Sequence, residues 1–508
     1  MYKFISKRIG ISVLILLLAS MLVYSLTAVS GDPLKDLRES TDPNRENLMQ
    51  QRIRHMGLDQ PIWVRYWDWL RGILGCFRGR CNFGVDRSGQ NVGDLLAHAA
   101  GSTIRLVLLA TILGIVLGIF FGVMTAIRQY SGFDYTITAA AFVFYSLPSF
   151  VFAVLLKEFG AIGFNNWLKD PNFSFVFILL AAALFALFCQ AIVAGDLRTR
   201  LMVGGGSFAL AAVIMIIFDA TNFIANPIGG LWVPIVAGLA AAVLFTSLFT
   251  SLSNQRALFS TIGTAVVVVV LSLIMTPIMR NPSTGTLLLF FLISLVAAVV
   301  IGLVFGGYAR RSVVWANIWV ASSTVLAVCV DFMMRHWVEY VRLVNNRPIS
   351  TIGSETPNFR GSGSFWLSLI DGSTHLILPT ISLTLISVAS YTRYTRSSML
   401  DVLEQDYVRT ARSKGLSERV VITRHAFRNA MLPITTIVAY DFAGLIGGAV
   451  ITETVFGWKG MGELFKTGLN NVDPNPVMAF FLVTGTIAVL MNMAADIAYA
   501  YIDPRIRR

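Results

Sequence analysis

Residues 406–433 read DYVRTARSKGLSERVVITRHAFRNAMLP, and long apolar runs flank this stretch on both sides. Six basic residues stand in it against two acidic ones, and we call it the basic loop. A short basic segment between two membrane spans is expected to be cytoplasmic by the positive-inside rule. The pattern predicts two short helices, one capped by Asp406 and ended by Gly415, the other capped by Ser417. Pro433 is predicted to begin the next membrane span, where its missing N–H costs little.

A helical hairpin held between two spans suits contact with another protein, although a solvated basic loop is the alternative. The residues resemble the cytoplasmic coupling loop of ABC importer permeases, in its oligopeptide/dipeptide permease form. Arg409-Thr410-Ala411 stand where the general motif has Glu-Ala-Ala, followed by three residues and then Gly415. The resemblance implies contact with an ATPase through Asp406, Arg409, Thr410, Ala411, Gly415, Leu432 and Pro433.

Composition places the chain in a membrane. Of its 508 residues, 55% are hydrophobic and 13% are charged, which is about half the charged share of a soluble domain. The formal net charge of +12 falls largely in short loops beside apolar runs, where it sets orientation and does not indicate nucleic acid. The sequence therefore predicts an all-α polytopic membrane protein.

The N-terminal part begins with an apolar run from Ile9 to about Val29, long enough to be an uncleaved first span with the N-terminus inside. In the polar region that follows, Trp63, Trp67 and Leu70 share a helical spacing that favours an interfacial helix over a ligand site. Cys76 and Cys81 lie in the same region, and we expect a disulfide if it is extracytoplasmic and two free thiols otherwise. The five histidines show no metal-ligand spacing, so no metal site is predicted.

The resemblance covers about residues 1–156 and 372–508, including GLIGGAVITETVF at 444–456 and DPRIR at 503–507. Lys459 departs from it, since the family usually has proline there. The implied fold is a type I ABC importer permease core of six helices. The predicted divisions are residues 1–30 as the first span, 31–100 as an extracytoplasmic region, 101–156 as spans two and three, 157–371 as an insertion with an outer loop, and 372–508 as spans four to six with the coupling loop 392–433.

The insertion holds six apolar runs, each about long enough to cross a bilayer. The linkers between them are alternately basic and nearly uncharged, which predicts that the chain crosses at every run. Six crossings return the chain to the same face, so we expect twelve spans, with the inserted ones forming a separate membrane subdomain. The runs are centred near Leu184, Val213, Ala240, Val268, Leu295 and Thr324.

Candidate chemistry is sparse. No catalytic constellation can be recognised, and Gly460 begins a poor match to the phosphate loop, with Phe465 where its second glycine belongs. Pro148 within the third span predicts a kink that either lines a path or serves packing. Ionisable groups in late spans are costly and often functional, although bonding inside the helix bundle is an equal alternative. Possible path residues are Pro148, Asp441, Glu453 and Asp496.

The resemblance implies a permease subunit of an ATP-driven peptide importer in a bacterial inner membrane, with both termini cytoplasmic. Its implied partners are a homologous permease, two ATPase subunits that hold ATP and Mg²⁺, and an extracytoplasmic substrate-binding protein. No cofactor is expected on this chain. A secondary, ion-coupled transporter and a permease whose inserted spans mainly scaffold another membrane protein are the alternatives. The substrate stays open between dipeptides, longer peptides, nickel complexes and glutathione, because the binding protein usually selects it.

Overall fold

A computed structural model describes residues 2–193, 196–357, 359 and 364–502, and over these residues the regular structure is helical. The first helices are α1 (Tyr2–Val29), α2 (Lys35–Arg38), α3 (Arg45–Met56), α4 (Ile62–Leu74), α5 (Val92–Ile127), α6 (Gly132–Ser146), α7 (Ser149–Leu155) and α8 (Phe164–Trp167). The insertion forms α9 (Phe175–Ile192), α10 (Leu197–Ala220), α11 (Trp232–Phe249), α12 (Gln255–Ile274), α13 (Thr276–Met279), α14 (Thr284–Phe305) and α15 (Arg310–Leu343). The last helices are α16 (Phe365–Leu403), α17 (Asp406–Ser413), α18 (Glu418–Val420), α19 (Phe427–Gly448), α20 (Val450–Phe456), α21 (Met461–Asn470) and α22 (Pro474–Ile502).

Ten helices in the described part of the chain are long and apolar enough to cross a membrane, and a bent pair can supply an eleventh. The remaining predicted span falls on α19, several of whose side chains lie outside the described set, so the total of twelve stays a prediction. The motif at 503–507 and the side chain of Asp496 also lie outside the described residues.

The insertion forms a helix at each of its six predicted apolar runs. Within it α11, α12, α14 and α15 pack on one another, while α9 and α10 pair together. It meets the rest of the chain where α9 contacts α6 and where α15 contacts α16. The inserted helices therefore share faces with two core helices.

A row of small residues joins the two longest core helices. Gly114, Gly118 and Gly122 of α5 lie one turn apart and face α16. A Cβ added at Gly118 would come within 2.4 Å of the Tyr391 Cβ, so only glycine admits this approach. Close contact of this kind drives helix association in lipid, where there is no hydrophobic force between helices. The contact fixes α5 against α16, the helix that leads to the basic loop.

Side-chain contacts show that the connections between helices lie at two opposite ends of the molecule. We call the end that carries residues 406–433 the basic-loop end, and the opposite end, where Asn165 meets Ile349, the far end. At the basic-loop end, Arg419 Nη2 donates to the Leu248 carbonyl over 3.3 Å, which brings the end of α11 to the basic loop. At the far end, the Asn165 carboxamide bonds both the N–H and the C=O of Ile349. The predicted alternation of the linkers places the linker after α11 on the side of the basic loop, and the contact between Arg419 and Leu248 agrees with that placement.

Pro148 does more than kink the third predicted span. Helix α6 stops at Ser146, Pro148 takes the N-cap position of α7, and the two helix axes differ by 102°. A proline ring cannot continue the preceding helix, and here its φ of −58° starts a new one. After the turn, α7 packs against α16 and α20 at the far end.

Candidate functional site

The first helix of the basic loop ends as predicted but begins differently. Helix α17 ends at Ser413 with Lys414 at the C-cap position, and Gly415 has a left-handed φ of +75°, as a helix-ending glycine should. Asp406, however, is the first helical residue and Gln405 holds the cap position, so the expected cap is wrong by one residue. Ser417 does precede α18, but its side chain makes no capping bond.

The second helix of the loop is not a separate element. Helix α18 continues through a π-helical segment, Val421–Ala426, directly into α19. Pro433 consequently lies inside α19 and does not begin the next span, which corrects the expectation. Wide turns of this kind occur preferentially at functional sites, and this one joins the exposed loop to a core helix.

The loop has one buried and one exposed face. Val408 and Ala411 of α17 are buried against Val421, so the inward face is set by positions i and i+3. Tyr407, one turn before Ala411, is 42% exposed. The remaining residues from 404 to 419 point to solvent, including Asp406, Arg409 and Thr410. A partner can therefore reach the charged face without displacing the apolar one.

An exposed ion pair shapes the hinge of the basic loop. Arg412 Nη2 donates to Glu418 Oε1 over 2.7 Å, and Arg412 Nε donates to Glu418 Oε2 over 3.2 Å. The hydrogen bonds from Arg412 lower the pKa of the Glu418 carboxyl. The pair closes the turn at Gly415, where α17 ends and the chain reverses.

A second ion pair joins α6, in the third predicted span, to α16, the helix that precedes the basic loop. The buried Asp134 carboxylate accepts Nε and Nη2 of Arg396, each over 2.9 Å, and also the Tyr130 N–H and the Thr138 hydroxyl. Sequence reasoning missed this pair, because 262 positions separate its members. Two features of the sequence could have indicated the pair: Asp134 stands at the start of an apolar run, and Arg396 stands shortly before the basic loop.

The acids proposed for a path differ in their surroundings. Glu453 is fully buried, and Thr103 Oγ1 donates to its Oε1 over 2.6 Å. Its Oε2 accepts the Gly462 N–H over 2.7 Å, at the N-terminus of α21. It therefore holds α20, α21 and α5 together. Asp441 of α19 is half-buried.

The polar N-terminal region stands at the far end. Helix α4 packs on α1, where the Tyr66 hydroxyl and Ser20 Oγ lie 2.8 Å apart. Trp63 and Trp67 remain exposed, at 71% and 54%. The loop after α4 joins Cys76 to Cys81 through a disulfide. Within the described residues, His, Cys, Asp and Glu form no group that could hold a metal ion.

Comparison with known proteins gives two family matches. Residues 235–508 match the model of binding-protein-dependent transport system inner membrane components, and residues 1–87 match the model of the N-terminal part of such membrane components. The first match covers more than half of the chain and begins inside the insertion.

Curated relatives carry related names. The oligopeptide transport system permease protein OppB of Mycobacterium tuberculosis (strain ATCC 25618 / H37Rv) is 25% identical over 507 residues, covering 100% of this chain and 99% of that protein. The oligopeptide transport system permease protein AppB of Bacillus subtilis (strain 168) is 37% identical over 229 residues, or 45% of this chain and 70% of that protein. The dipeptide transport system permease protein DppB of Escherichia coli (strain K12) is 44% identical over 140 residues, or 28% of this chain and 41% of that protein.

Proposed function

The chain belongs to the binding-protein-dependent transport system inner membrane components, in their oligopeptide and dipeptide permease branch, and from this premise we propose that it couples peptide import to partner ATPases. It has the all-helical, type I ABC permease fold and is a membrane permease. The observation that carries the proposal is the basic loop, whose charged face is open to a partner while its apolar face packs inward.

Coupling works through a continuous element. Helix α16 runs without a break from Phe365 to Leu403 and leads directly to α17, so movement of α17 is transmitted along its length. The Asp134–Arg396 pair and the α5 glycine row hold α16 to the third and second spans. An ATPase that pulls on the loop would therefore move these three spans together. The residues we assign to ATPase coupling are Asp406, Arg409, Thr410, Gly415, Leu432 and Pro433, together with Ala411, which packs inward and positions the charged face.

Orientation follows from charge. Arg198, Arg256 and Arg310 belong to linkers that alternate with nearly uncharged ones, in step with the basic loop. Short basic linkers favour the cytoplasmic side, so we place the basic-loop end and both termini there, in a bacterial inner membrane. The far end, with α4 and the disulfide, faces outward. In the variants Arg198→Cys and Arg256→Cys, the introduced thiol should then react with a membrane-impermeant reagent only from the cytoplasmic side.

The proposed path lies between this chain and a homologous permease. Pro148, Asp441 and Asp496 are its candidate lining residues on this chain, and Glu453 supports the wall at the far end through its hydrogen bonds. Hydrolysis belongs to two partner ATPases that bind ATP and Mg²⁺, and this chain binds no cofactor of its own. An extracytoplasmic binding protein delivers the peptide.

The test is ATP-driven uptake by the reconstituted complex. The chain is purified with the subunits that remain bound and is placed in vesicles with ATP on the ATPase side. Uptake of a labelled peptide that requires ATP and the binding protein supports the proposal. Uptake driven by an ion gradient without ATP would instead identify a secondary transporter.

A further inference from the structure

A cavity of about 780 Å³ opens at the far end, where the insertion meets the core. One wall is the end of α15 with the segment that follows it, contributing Tyr340 and Arg347. The other wall is the π-helical segment Leu156–Gly163 together with α16, contributing Lys157 and His375. The size is that of a small-molecule site, and neither the insertion nor the core encloses it alone.

The charged residues of the lining are basic. Lys157 and Arg347 line the cavity, together with His375, three asparagines and several hydroxyl groups, and the described lining includes no Asp or Glu. Lys157 Nζ donates to the Val455 carbonyl over 3.0 Å, and an ammonium group has two further N–H donors. A concave surface of this sign concentrates anions.

One carboxylate is bonded to residues that line the cavity. Asp371, one turn before His375 on α16, accepts the Thr356 N–H over 3.1 Å and the Tyr340 hydroxyl over 3.2 Å. It also accepts the Thr356 hydroxyl. These bonds hold the segment after α15 against α16. Asp371 Oδ1 also lies 3.6 Å from Nδ1 of His375, so the carboxylate is engaged by these lining residues, while Arg347 and Lys157 are the cations of the lining.

The wall is positioned by specific bonds as well. The Asn165 carboxamide pairs with Ile349 through bonds of 2.8 and 3.1 Å, which fixes the segment that carries Arg347. On the opposite wall, the π-helical segment carries Lys157, and such segments are frequent at functional sites. Specific hydrogen bonds and a π-helical segment therefore shape the cavity between the end of α15 and α16.

We propose that this cavity binds the anionic group of a small molecule, a carboxylate or a phosphate, with Arg347 and Lys157 as its ligands. A guanidinium offers paired donors that match either anion, and the lysine adds a point charge. The shared chemistry can come from the C-terminus of a short peptide or from a lipid headgroup. The insertion then has a role beyond spanning the membrane, because the segment after α15 supplies Arg347.

Binding to the full-length chain, purified with its bound subunits but without the binding protein, tests the proposal. The probes are trialanine and trialanine amide, followed by nanodiscs of phosphatidylglycerol and of phosphatidylcholine. Arg347→Gln should weaken binding of the anionic probe by about tenfold or more, and Lys157→Met should act in the same direction. Arg342→Gln is the matched control, since Arg342 lies near the end of α15, five residues before Arg347, is exposed and does not line the cavity.

Two results support the site and identify its source. Preference for trialanine over its amide, lost in Arg347→Gln, indicates a peptide carboxylate. Preference for phosphatidylglycerol, lost in the same variant, indicates a lipid phosphate. The proposal is overturned if Arg347→Gln and Arg342→Gln bind every anionic probe as the wild type does. Because the readout is binding, its failure leaves ATP-driven uptake untouched, and the two proposals fail separately.

Discussion

Trp366 of α16 stacks on Phe332 of α15, with ring centroids 5.0 Å apart and planes inclined by 7°. Its indole Nε1 also donates to the Met279 carbonyl over 2.7 Å. The first turn of a core helix is thereby enclosed in the hydrophobic cluster of the inserted helices. The inserted helices and the first turn of α16 share one hydrophobic cluster at this point.

Trp366→Ala should therefore destabilise the protein by about 3–5 kcal/mol, the usual range for removing a buried aromatic side chain. The loss includes the ring stack and leaves the Met279 carbonyl without its indole donor. The measurement is the free energy of unfolding in detergent. Trp315→Ala is the matched control, because Trp315 belongs to α15 and is 50% exposed. Equal losses in the two variants would contradict the shared cluster.

Breaking the Asp134–Arg396 pair should cost about 3 kcal/mol, near the lower end for a buried pair because Arg396 remains partly exposed. Asp134→Asn strands a guanidinium, and Arg396→Gln strands a carboxylate. The double variant should lose less than the sum of the single losses, since neither partner is left charged alone. A double-mutant cycle on the free energy of unfolding measures this coupling. Strict additivity would show that the pair does not join the two helices.

Asp473 predicts a pH dependence at the far end. Burial raises the pKa of its carboxyl to about 6, against the lowering effect of hydrogen bonds from the Arg87 and Asn475 N–H groups. The folded chain then holds the proton more tightly than the unfolded chain does. The resulting stability is present at pH 4 and is lost as pH rises through 6, by up to about 3 kcal/mol.

Thermal unfolding of the wild type and Asp473→Asn between pH 4 and 8 checks this dependence. The variant is neutral throughout, so its stability relative to the wild type should rise with pH up to about 6 and then stay level. Asp68→Asn removes an exposed acid and serves as the control. A constant difference between wild type and Asp473→Asn would show that the carboxyl titrates alike in both states.

Features that depend on neighbouring residues could be predicted from the sequence, whereas features that depend on contacts between distant residues could not. Run lengths predicted the inserted helices, and the position of Gly415 predicted its left-handed backbone, because both are local properties. The 102° turn at Pro148 depends on packing against α16 and α20, which no local pattern specifies. Glu453 was recognised as a costly acid, but its partner Thr103 is 350 positions away. The role of Glu453 in holding α20, α21 and α5 together could therefore be recognised only from the folded structure.

The Cys76–Cys81 pair tests orientation together with chemistry. An extracytoplasmic location at the far end permits the disulfide, whereas a cytoplasmic one would keep both thiols reduced. Alkylation without reductant, followed by mass spectrometry, should find neither cysteine labelled in the native protein. Cys329, half-buried in α15, is the internal thiol that should be alkylated after unfolding. Two labelled thiols at 76 and 81 would contradict both the bond and the proposed orientation.

Gly415→Asp should leave the protein in the membrane and uncouple uptake from ATP hydrolysis. The change has room, since no atom lies within 4 Å of an added Cβ, so packing is preserved. The strain lies in the backbone, because a φ of +75° costs a non-glycine residue about 1–2 kcal/mol. If that energy is taken from the coupling between α17 and the ATPase, uptake per ATP falls by roughly tenfold.

The control uses the same backbone at the opposite end of the molecule. Gly79 also has a φ of +75° and no atom within 4 Å of an added Cβ, but it lies in the disulfide loop at the far end. Gly79→Asp therefore introduces equal strain without touching the basic loop, and its uptake per ATP should match that of the wild type. Uptake and ATPase rate are measured on both reconstituted variants. If Gly415→Asp transports normally, or if both variants lose uptake alike, the basic loop is not the coupling element, because the strain would then act through general destabilisation or not at all.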